Sequence, residues 1–148
     1  MKTTMLFILT VLVTGALSLS ACTVGSRPAT QPAGPASPMT AVSGTVTYRQ
    51  RIALPPSAVI EVMLADVSRQ DVAAEVISTQ RIEANGKQVP FPYELPYDPA
   101  KIDPRFTYAV SARITDGSQL LFISMQQYPV ITNGNPTSNV EVVVEPAS

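Results

Sequence analysis

The single cysteine of the 148-residue chain, Cys22, most constrains which part of the sequence can fold as a domain. An apolar run begins at Met5, and Leu19-Ser20-Ala21-Cys22 closes it in the pattern of a bacterial lipobox. Lys2 supplies a positive charge before the run, and the run is shorter than the roughly 20 residues of a spanning helix. We therefore expect residues 1–21 to be a cleaved signal peptide and Cys22 to become a lipid-bearing N-terminus.

The lipid on Cys22 also predicts where the rest of the chain works. A multiply acylated cysteine stays in a membrane, because each buried CH₂ group of a lipid contributes about 0.8 kcal/mol. In chains that resemble Gram-negative lipoproteins, Asp directly after the cysteine signals retention in the inner membrane, and here Thr23 stands at that place. The sequence therefore predicts an anchor in the outer membrane, facing the periplasm.

The segment after the cysteine, residues 23–40, reads TVGSRPATQPAGPASPMT and carries four prolines. Such a composition buries too little apolar area to offset its ordering entropy, so we expect a disordered linker with polyproline II character. Extended, it would span up to roughly 50 Å. The expected organisation is a signal peptide at 1–21, a lipidated cysteine with its linker at 22–40, and a folded domain at 41–148.

Strand patterns dominate that domain, and no long window shows helical periodicity. Apolar and polar residues alternate over 42–48, whereas 58–67 is apolar on both faces, as in a central strand. Prolines alternate with apolar residues near 89–96, which favours an edge strand, since proline cannot donate to a ladder. An all-β fold is expected, a small antiparallel β-sandwich of about seven strands, near 42–48, 58–67, 74–84, 89–95, 106–114, 119–124 and 140–144.

The domain resembles the YbaY-like lipoproteins of the YscW type III secretion pilotin family. The resemblance covers nearly the whole domain, and its most specific part is the turn Arg51-x-x-Leu54-Pro55-Pro56 with the strand that holds Val62, Leu64 and Asp66. It implies a β-sandwich on a lipid anchor, without enzymatic activity or catalytic residues. In the pilotin members it implies assistance to a secretin ring on its way to the outer membrane. Four runs carry the resemblance: VSGTVTYRQRIALPPSAVIEVMLADVSRQD, VPFPYELPYDPAKID, YAVSARITDGSQLLF and YPVITNG.

The sequence lacks the residues that several kinds of chemistry require. The chain has no histidine and one cysteine, which excludes Cys/His nucleophiles, zinc sites with nitrogen or sulfur ligands, and disulfides within the chain. A formal charge of −1 offers no basic field for nucleic acid. We expect no metal, no cofactor and no nucleic-acid partner.

Carboxylates are the remaining candidates for catalysis. Glu61 is expected on the solvated face of its strand, and Asp66 at a strand end, where it would accept backbone N–H bonds in a turn. Asp98 and Asp103 each directly precede a proline, which also predicts turn positions. These environments argue against a glycosidase-like pair, so we expect no enzyme.

Arginine and tyrosine side chains are the candidates for binding a partner. Arg49, Arg51 and Arg113 form a rim on polar strand faces, which either binds a partner or pairs across strands with the carboxylates of the last strand, Glu141 and Glu145.

Tyr93 and Tyr97 are the second candidate set. They lie in the proline-rich strand, either lining a groove for a partner or filling the core while the prolines protect the edge.

The sequence therefore favours a non-enzymatic lipoprotein that binds or chaperones another envelope protein, such as a secretin subunit. An inhibitor or structural envelope protein is the first alternative, and it would present a protruding loop such as 132–138. A lipid or small-ligand carrier is the second, and it would need an internal cavity of some hundreds of Å³.

Overall fold

The computed structural model describes residues 39–147, so the predicted signal peptide, the predicted lipobox with Cys22 and the predicted linker up to residue 38 lie outside the described residues. Nine strands and one 3₁₀ turn, Pro99–Lys101, make up the regular structure of this part of the chain. The strands are β1 (Thr40–Thr47), β2 (Ala58–Asp66), β3 (Glu75–Glu83), β4 (Phe91–Tyr97), β5 (Tyr108–Asp116), β6 (Gln119–Ile123), β7 (Tyr128–Val130), β8 (Val140–Val143) and β9 (Glu145–Pro146).

Two sheets form the sandwich that the alternation pattern predicts. The smaller sheet has the order β4-β1-β8, and the larger has the order β3-β2-β5-β6-β9, with β7 paired to the other half of β5. All pairs are antiparallel except β1 with β8, which run parallel. The all-β sandwich is confirmed, with two short strands, β7 and β9, beyond the seven expected.

One hydrophobic core fills the space between the two sheets. The alternating residues of β1, β2, β4, β5 and β8 supply it, because successive side chains of a strand point to opposite faces. As expected, β8 turns Val140 and Val142 inward and Glu141 outward. The largest side chains that are fully buried are Val42, Val46, Ile60, Val62, Leu64, Leu95, Val110, Ile114, Val130, Val142 and Val144.

The proline-rich strand β4 is an edge strand, as its sequence predicts. Phe91, Tyr93, Leu95 and Tyr97 are buried, whereas the residues between them are exposed. The backbone N–H of Glu94 donates to the side chain of Gln80, at 2.7 Å, and not to β1. Pro92 and Pro96 lie two residues on either side, so their positions also face the free edge, where proline offers no donor.

Within residues 39–147, no helix is long and apolar enough to cross a membrane.

Candidate functional site

The loop between β1 and β2, residues 48–57, carries the most family-specific motif and both leading arginine candidates. Two side chains hold its backbone, namely that of Tyr48 at the start of the loop and that of Gln88 from another loop. The Tyr48 hydroxyl donates to the carbonyl of Ile52 at 2.6 Å. The amide of Gln88 accepts from the N–H of Leu54 at 2.8 Å and donates to the carbonyl of Leu54 at 3.3 Å. The loop is therefore fixed at two points of its backbone.

Tyr48 is itself anchored in the core. Its ring stacks on that of Phe122, with centroids 4.6 Å apart and planes 14° apart. Burial raises the pKa of Tyr48, so its hydroxyl stays protonated and remains a donor well above neutral pH. The second half of the loop closes with hydrogen bonds from Ala58 N–H to the Pro55 carbonyl and from Asn85 N–H to the Pro56 carbonyl. The loop is thus a pre-ordered element, although it contains no regular secondary structure.

This fixed loop presents positive charge and apolar surface together. Arg49 and Arg51 are both exposed, and the side chain of Ile52 is 59% exposed. Exposed apolar residues next to charged ones are common at protein-binding sites, because the apolar group gains by burial and the charges orient the partner. We refer to Arg49, Arg51 and Ile52 as the loop surface.

A cleft of about 190 Å³ adjoins the loop surface at Arg49 and Gln50. Met125, which is 71% exposed, forms part of its wall. The side-chain oxygen of Gln50 is buried and has no hydrogen-bond partner among the described residues. A buried acceptor without a partner is uncommon in proteins.

Tyr128, which also lines this cleft, blocks the outer edge of β8. Its hydroxyl donates to the carbonyl of Val143 at 3.1 Å and accepts from the N–H of Val143 at 2.9 Å. One side chain thereby satisfies both backbone groups that a neighbouring strand would otherwise bond. The pattern around Tyr128-Pro129 predicts a loop, so neither the strand there nor this contact could be predicted from the sequence.

The two tyrosine candidates of β4 lie in the core. Tyr93 is 3% exposed, and its hydroxyl donates to the carbonyl of Val140 at 3.0 Å, reaching over β1 at Gly44. Burial raises the pKa of Tyr93 far above its usual value. Tyr97 is 6% exposed and lines a surface cleft of about 330 Å³, in which Ile131 is a further apolar wall. A partner would thus meet the edge of Tyr97 but not the ring of Tyr93.

The third arginine of the predicted rim, Arg113, is engaged elsewhere. Its guanidinium contacts the carboxylate of Glu61 at 2.6 Å, and Arg81 approaches the same carboxylate at 3.6 Å. The cross-strand pairing with Glu141 or Glu145 was therefore wrong for Arg113, because β2 lies between β3 and β5 and places Glu61 opposite both arginines. Glu61 is also less solvated than expected, with its side chain 14% exposed.

The other carboxylates occupy turns, as their sequence positions predict. Asp66 accepts from the N–H and the hydroxyl of Ser68 at 2.8 and 2.6 Å. Asp98 caps the 3₁₀ turn by accepting from the N–H of Ala100 at 3.0 Å. Asp103 accepts from the backbone and side chain of Arg105, which lowers the pKa of that carboxyl to about 2.

Among residues 39–147, no three side chains of the metal-binding types lie close enough together to hold an ion. The lipobox residues Leu19, Ser20 and Ala21 and the acceptor Cys22 lie outside this range, so their role stays a prediction.

Comparison with known proteins identifies the family. Residues 37–142 match the model described as "Type III secretion system lipoprotein chaperone (YscW)". The chain belongs to the YscW family. The match spans β1 to β8 and includes the loop surface and its Gln88 clamp, so the motifs from which the resemblance was drawn lie within it.

Two known proteins are similar to this YscW-family chain. The "Uncharacterized lipoprotein YbaY" of Escherichia coli (strain K12) is 39% identical over 102 residues, which are 69% of this chain and 54% of that protein. The chain thus aligns with about half the length of this curated relative. A solved structure, "Structure of an alternative pilotin from the type II secretion system of Vibrio cholerae", is 39% identical. It superposes with a TM-score of 0.68 over 74% of this chain and 100% of its own.

These relationships establish the class of the protein. A family of lipoprotein chaperones and a lipoprotein relative identify the chain as a lipoprotein of the cell envelope. The family is one of chaperones and pilotins and not of enzymes.

Proposed function

We propose that this protein is a non-enzymatic pilotin-like lipoprotein, anchored in the outer membrane through Cys22, that binds a secretin subunit in the periplasm. The observation that carries the proposal is the match to a secretion-system pilotin over that protein's full length, at 39% identity and a TM-score of 0.68. The family description as a lipoprotein chaperone supports the same role. Thr23, in place of an aspartate after the cysteine, supports the outer membrane as its site.

We assign partner binding to the loop surface and the cleft beside it. Arg49 and Arg51 offer guanidinium groups with five N–H donors each, which suit carboxylates on the partner. Ile52 in the loop and Met125 in the cleft beside it offer exposed apolar area. Because the loop is already ordered by Tyr48 and Gln88, binding loses less conformational entropy than it would with a mobile loop.

The packed interior supports binding at the surface over transport of a lipid. A carrier would hold its ligand between the sheets, but the core side chains occupy that space. A partner protein would instead contact the loop surface from outside.

The proposal is tested by photocrosslinking in cells. A photoreactive amino acid replaces Ile52 in the full-length chain, and a matched control carries it at the exposed Ser118 in the turn between β5 and β6. We expect a secretin subunit to be captured from position 52 and not from position 118. Capture of a periplasmic enzyme instead would contradict the chaperone role and favour an inhibitor.

Charge variants then test the two arginines. The double substitution Arg49→Ala with Arg51→Ala should lower the recovery of secretin with the protein by about tenfold, whereas Arg69→Ala, which removes an exposed charge elsewhere, should not. Unchanged recovery with the double variant would place the binding surface away from this loop.

A further inference from the structure

Strand β3 is nine residues long, and within the described part of the chain only β2 pairs with its backbone. β4 of the smaller sheet contacts β3 through the side chain of Gln80, which accepts from the N–H of Glu94, and does not pair with the β3 backbone. The other strand edges carry blocking features, namely the prolines of β4 and the Tyr128 hydroxyl on Val143 of β8. β7 and β9 are two or three residues long, and each contains a proline. β3 contains no proline, so it can accept another strand.

The hydrogen bonding of β2 shows which groups of β3 point outward. The N–H of Ala84 donates to the carbonyl of Ala58 at 2.8 Å, in continuation of the pairing of β3 with β2. Residues that bond to a neighbouring antiparallel strand recur at every second position. The odd-numbered residues Thr79, Arg81 and Glu83 therefore direct their N–H and C=O groups away from β2.

The other side of β2 leads to the same assignment. Ala112 of β5 accepts from the N–H of Ser124 at 2.9 Å, so its backbone groups face away from β2. Ala112 lies opposite Val62 of β2. The backbone groups of Val62 must then face β3, where Gln80 lies opposite.

The charges on the outward residues select one way for two copies of β3 to pair. Two antiparallel copies can place Arg81 opposite Glu83 of the second copy, twice, by symmetry. The neighbouring registers place Arg81 opposite Arg81 or Glu83 opposite Glu83, which is unfavourable, because like charges directly opposite repel. A register centred on Gln80 opposes no charges at all. Glu75 lies beyond the register shift that separates Ser78 from Val76 in β3, so it is out of phase with these residues. Among the outward residues Thr79, Arg81 and Glu83, opposite charges are therefore matched in one register, which is centred on Ile82.

Ile82 adds an apolar contact on the axis of that register. Its side chain is partly buried against the core and partly exposed at the edge of the sandwich. In the matched register it lies opposite Ile82 of the second copy, in a non-hydrogen-bonded pair whose side chains approach closely.

We propose that β3 is a self-association site, at which a second copy of this chain adds its own β3 antiparallel across a two-fold axis through Ile82. The larger sheets of the two copies then form one continuous sheet. The interface is short, so the pairing is weak in dilute solution. This inference does not depend on the proposed binding of a secretin.

Disulfide trapping of the full-length chain in cells tests the register. Ile82→Cys places two thiols opposite each other on the axis, at a Cβ separation near that of a disulfide. We expect a covalent dimer on a non-reducing gel. Thr79→Cys, which has no copy of itself opposite, and the unaltered chain with Cys22 are the controls, and neither should form it. Absence of the Ile82→Cys dimer would overturn the proposal, as would equal trapping from Thr79→Cys.

Charge reversal in the Ile82→Cys background tests the occupant. Glu83→Arg should reduce the trapped dimer by about tenfold, because it opposes two pairs of arginines. Glu75→Arg makes the same charge change on the same strand outside the matched pairs, and it should have no effect. Recovery of intact chain checks that each variant folds.

Co-expression separates self-pairing from binding of another protein. A chain with Arg81→Glu and a chain with Glu83→Arg each repel themselves, but together they restore both ion pairs. We expect the mixed dimer to be trapped at the level of the unreversed Ile82→Cys chain. Arg81→Glu also faces Glu61 of β2, so if that chain does not fold, the Glu83→Arg comparison above decides between self-pairing and another partner. Failure of the mixed dimer to form between two folded chains, or trapping of a different protein in place of the second copy, would overturn the assignment.

Discussion

The close approach of β1 to β8 at Gly44 is set by the absence of a side chain. A Cβ at this position would lie 1.9 Å from the carbonyl oxygen of Val140 and 2.8 Å from the hydroxyl of Tyr93. The same carbonyl accepts the Tyr93 hydrogen bond. Gly44 therefore lets the ring of Tyr93 cross β1 and join the two outer strands of the smaller sheet.

Substitution of this glycine should lower the free energy of unfolding by more than a change in strand propensity would. Gly44→Ala should lower the free energy of unfolding by about 2–4 kcal/mol, through overpacking against backbone and weakening of the Tyr93 bond. Urea unfolding followed by circular dichroism measures the change. Ser43→Ala, one residue earlier in β1, should change the same quantity by less than about 0.5 kcal/mol. A Gly44→Ala chain as stable as the unaltered one would mean that β8 moves away freely.

Gln88 shows why some residues of the candidate site were not found from the sequence. Its amide contacts Leu54, 34 residues earlier, with both its oxygen and its nitrogen. A glutamine in a turn carries no local signal of such a contact. Arg49 and Arg51 were found because their charge is visible in the sequence, whereas the clamp that orders their loop depends on the tertiary fold.

At the scale of the strand, β4 shows how backbone chemistry protects an edge. Its buried residues bond to β1, and the alternate positions hold Pro92 and Pro96, which have no N–H to offer. The one remaining donor there, from Glu94, is taken by Gln80. The free edge of β4 thus has no available N–H donor within the strand.

Restoring these N–H donors should let the edge of β4 associate with other chains without unfolding the domain. The double substitution Pro92→Val with Pro96→Val adds two outward N–H groups and removes no bond to β1, so we expect aggregation above that of the unaltered chain. Light scattering over a concentration series detects it. Pro92→Lys with Pro96→Lys restores the same donors but adds charge, and this chain should stay in solution. Equal scattering from the valine and unaltered chains would show that the missing donors do not protect this edge.

The period of two in the sequence was sufficient to predict the sandwich and its long strands. The apolar alternation of β1 and the two apolar faces of β2 follow directly from which sides are buried. β7 was missed because three residues with a central proline carry no alternation. The parallel pairing of β1 with β8 was also missed, because partners nearly a hundred residues apart are chosen by packing and not by local pattern.

For the whole molecule, the described domain is a rigid sandwich with its presented groups at the surface. The core occupies the space between the sheets, and the loop surface is held to it through Tyr48. The function of such a domain depends on its location in the cell and on the proteins that it contacts. Its proposed role therefore depends on the anchor at Cys22 as much as on the loop surface.

Single substitutions should remove the lipid anchor or change the membrane in which it holds the chain. Cys22→Ala removes the acceptor for the acyl chains, each CH₂ of which contributes about 0.8 kcal/mol of membrane affinity, so the chain should leave the membrane fraction. Thr23→Asp keeps the lipid but should move the chain from outer-membrane to inner-membrane fractions on a density gradient, whereas Thr23→Ser should not. Continued membrane association of Cys22→Ala would contradict lipidation at this residue. Outer-membrane recovery of Thr23→Asp would contradict only the sorting argument, and the lipid anchor would stand.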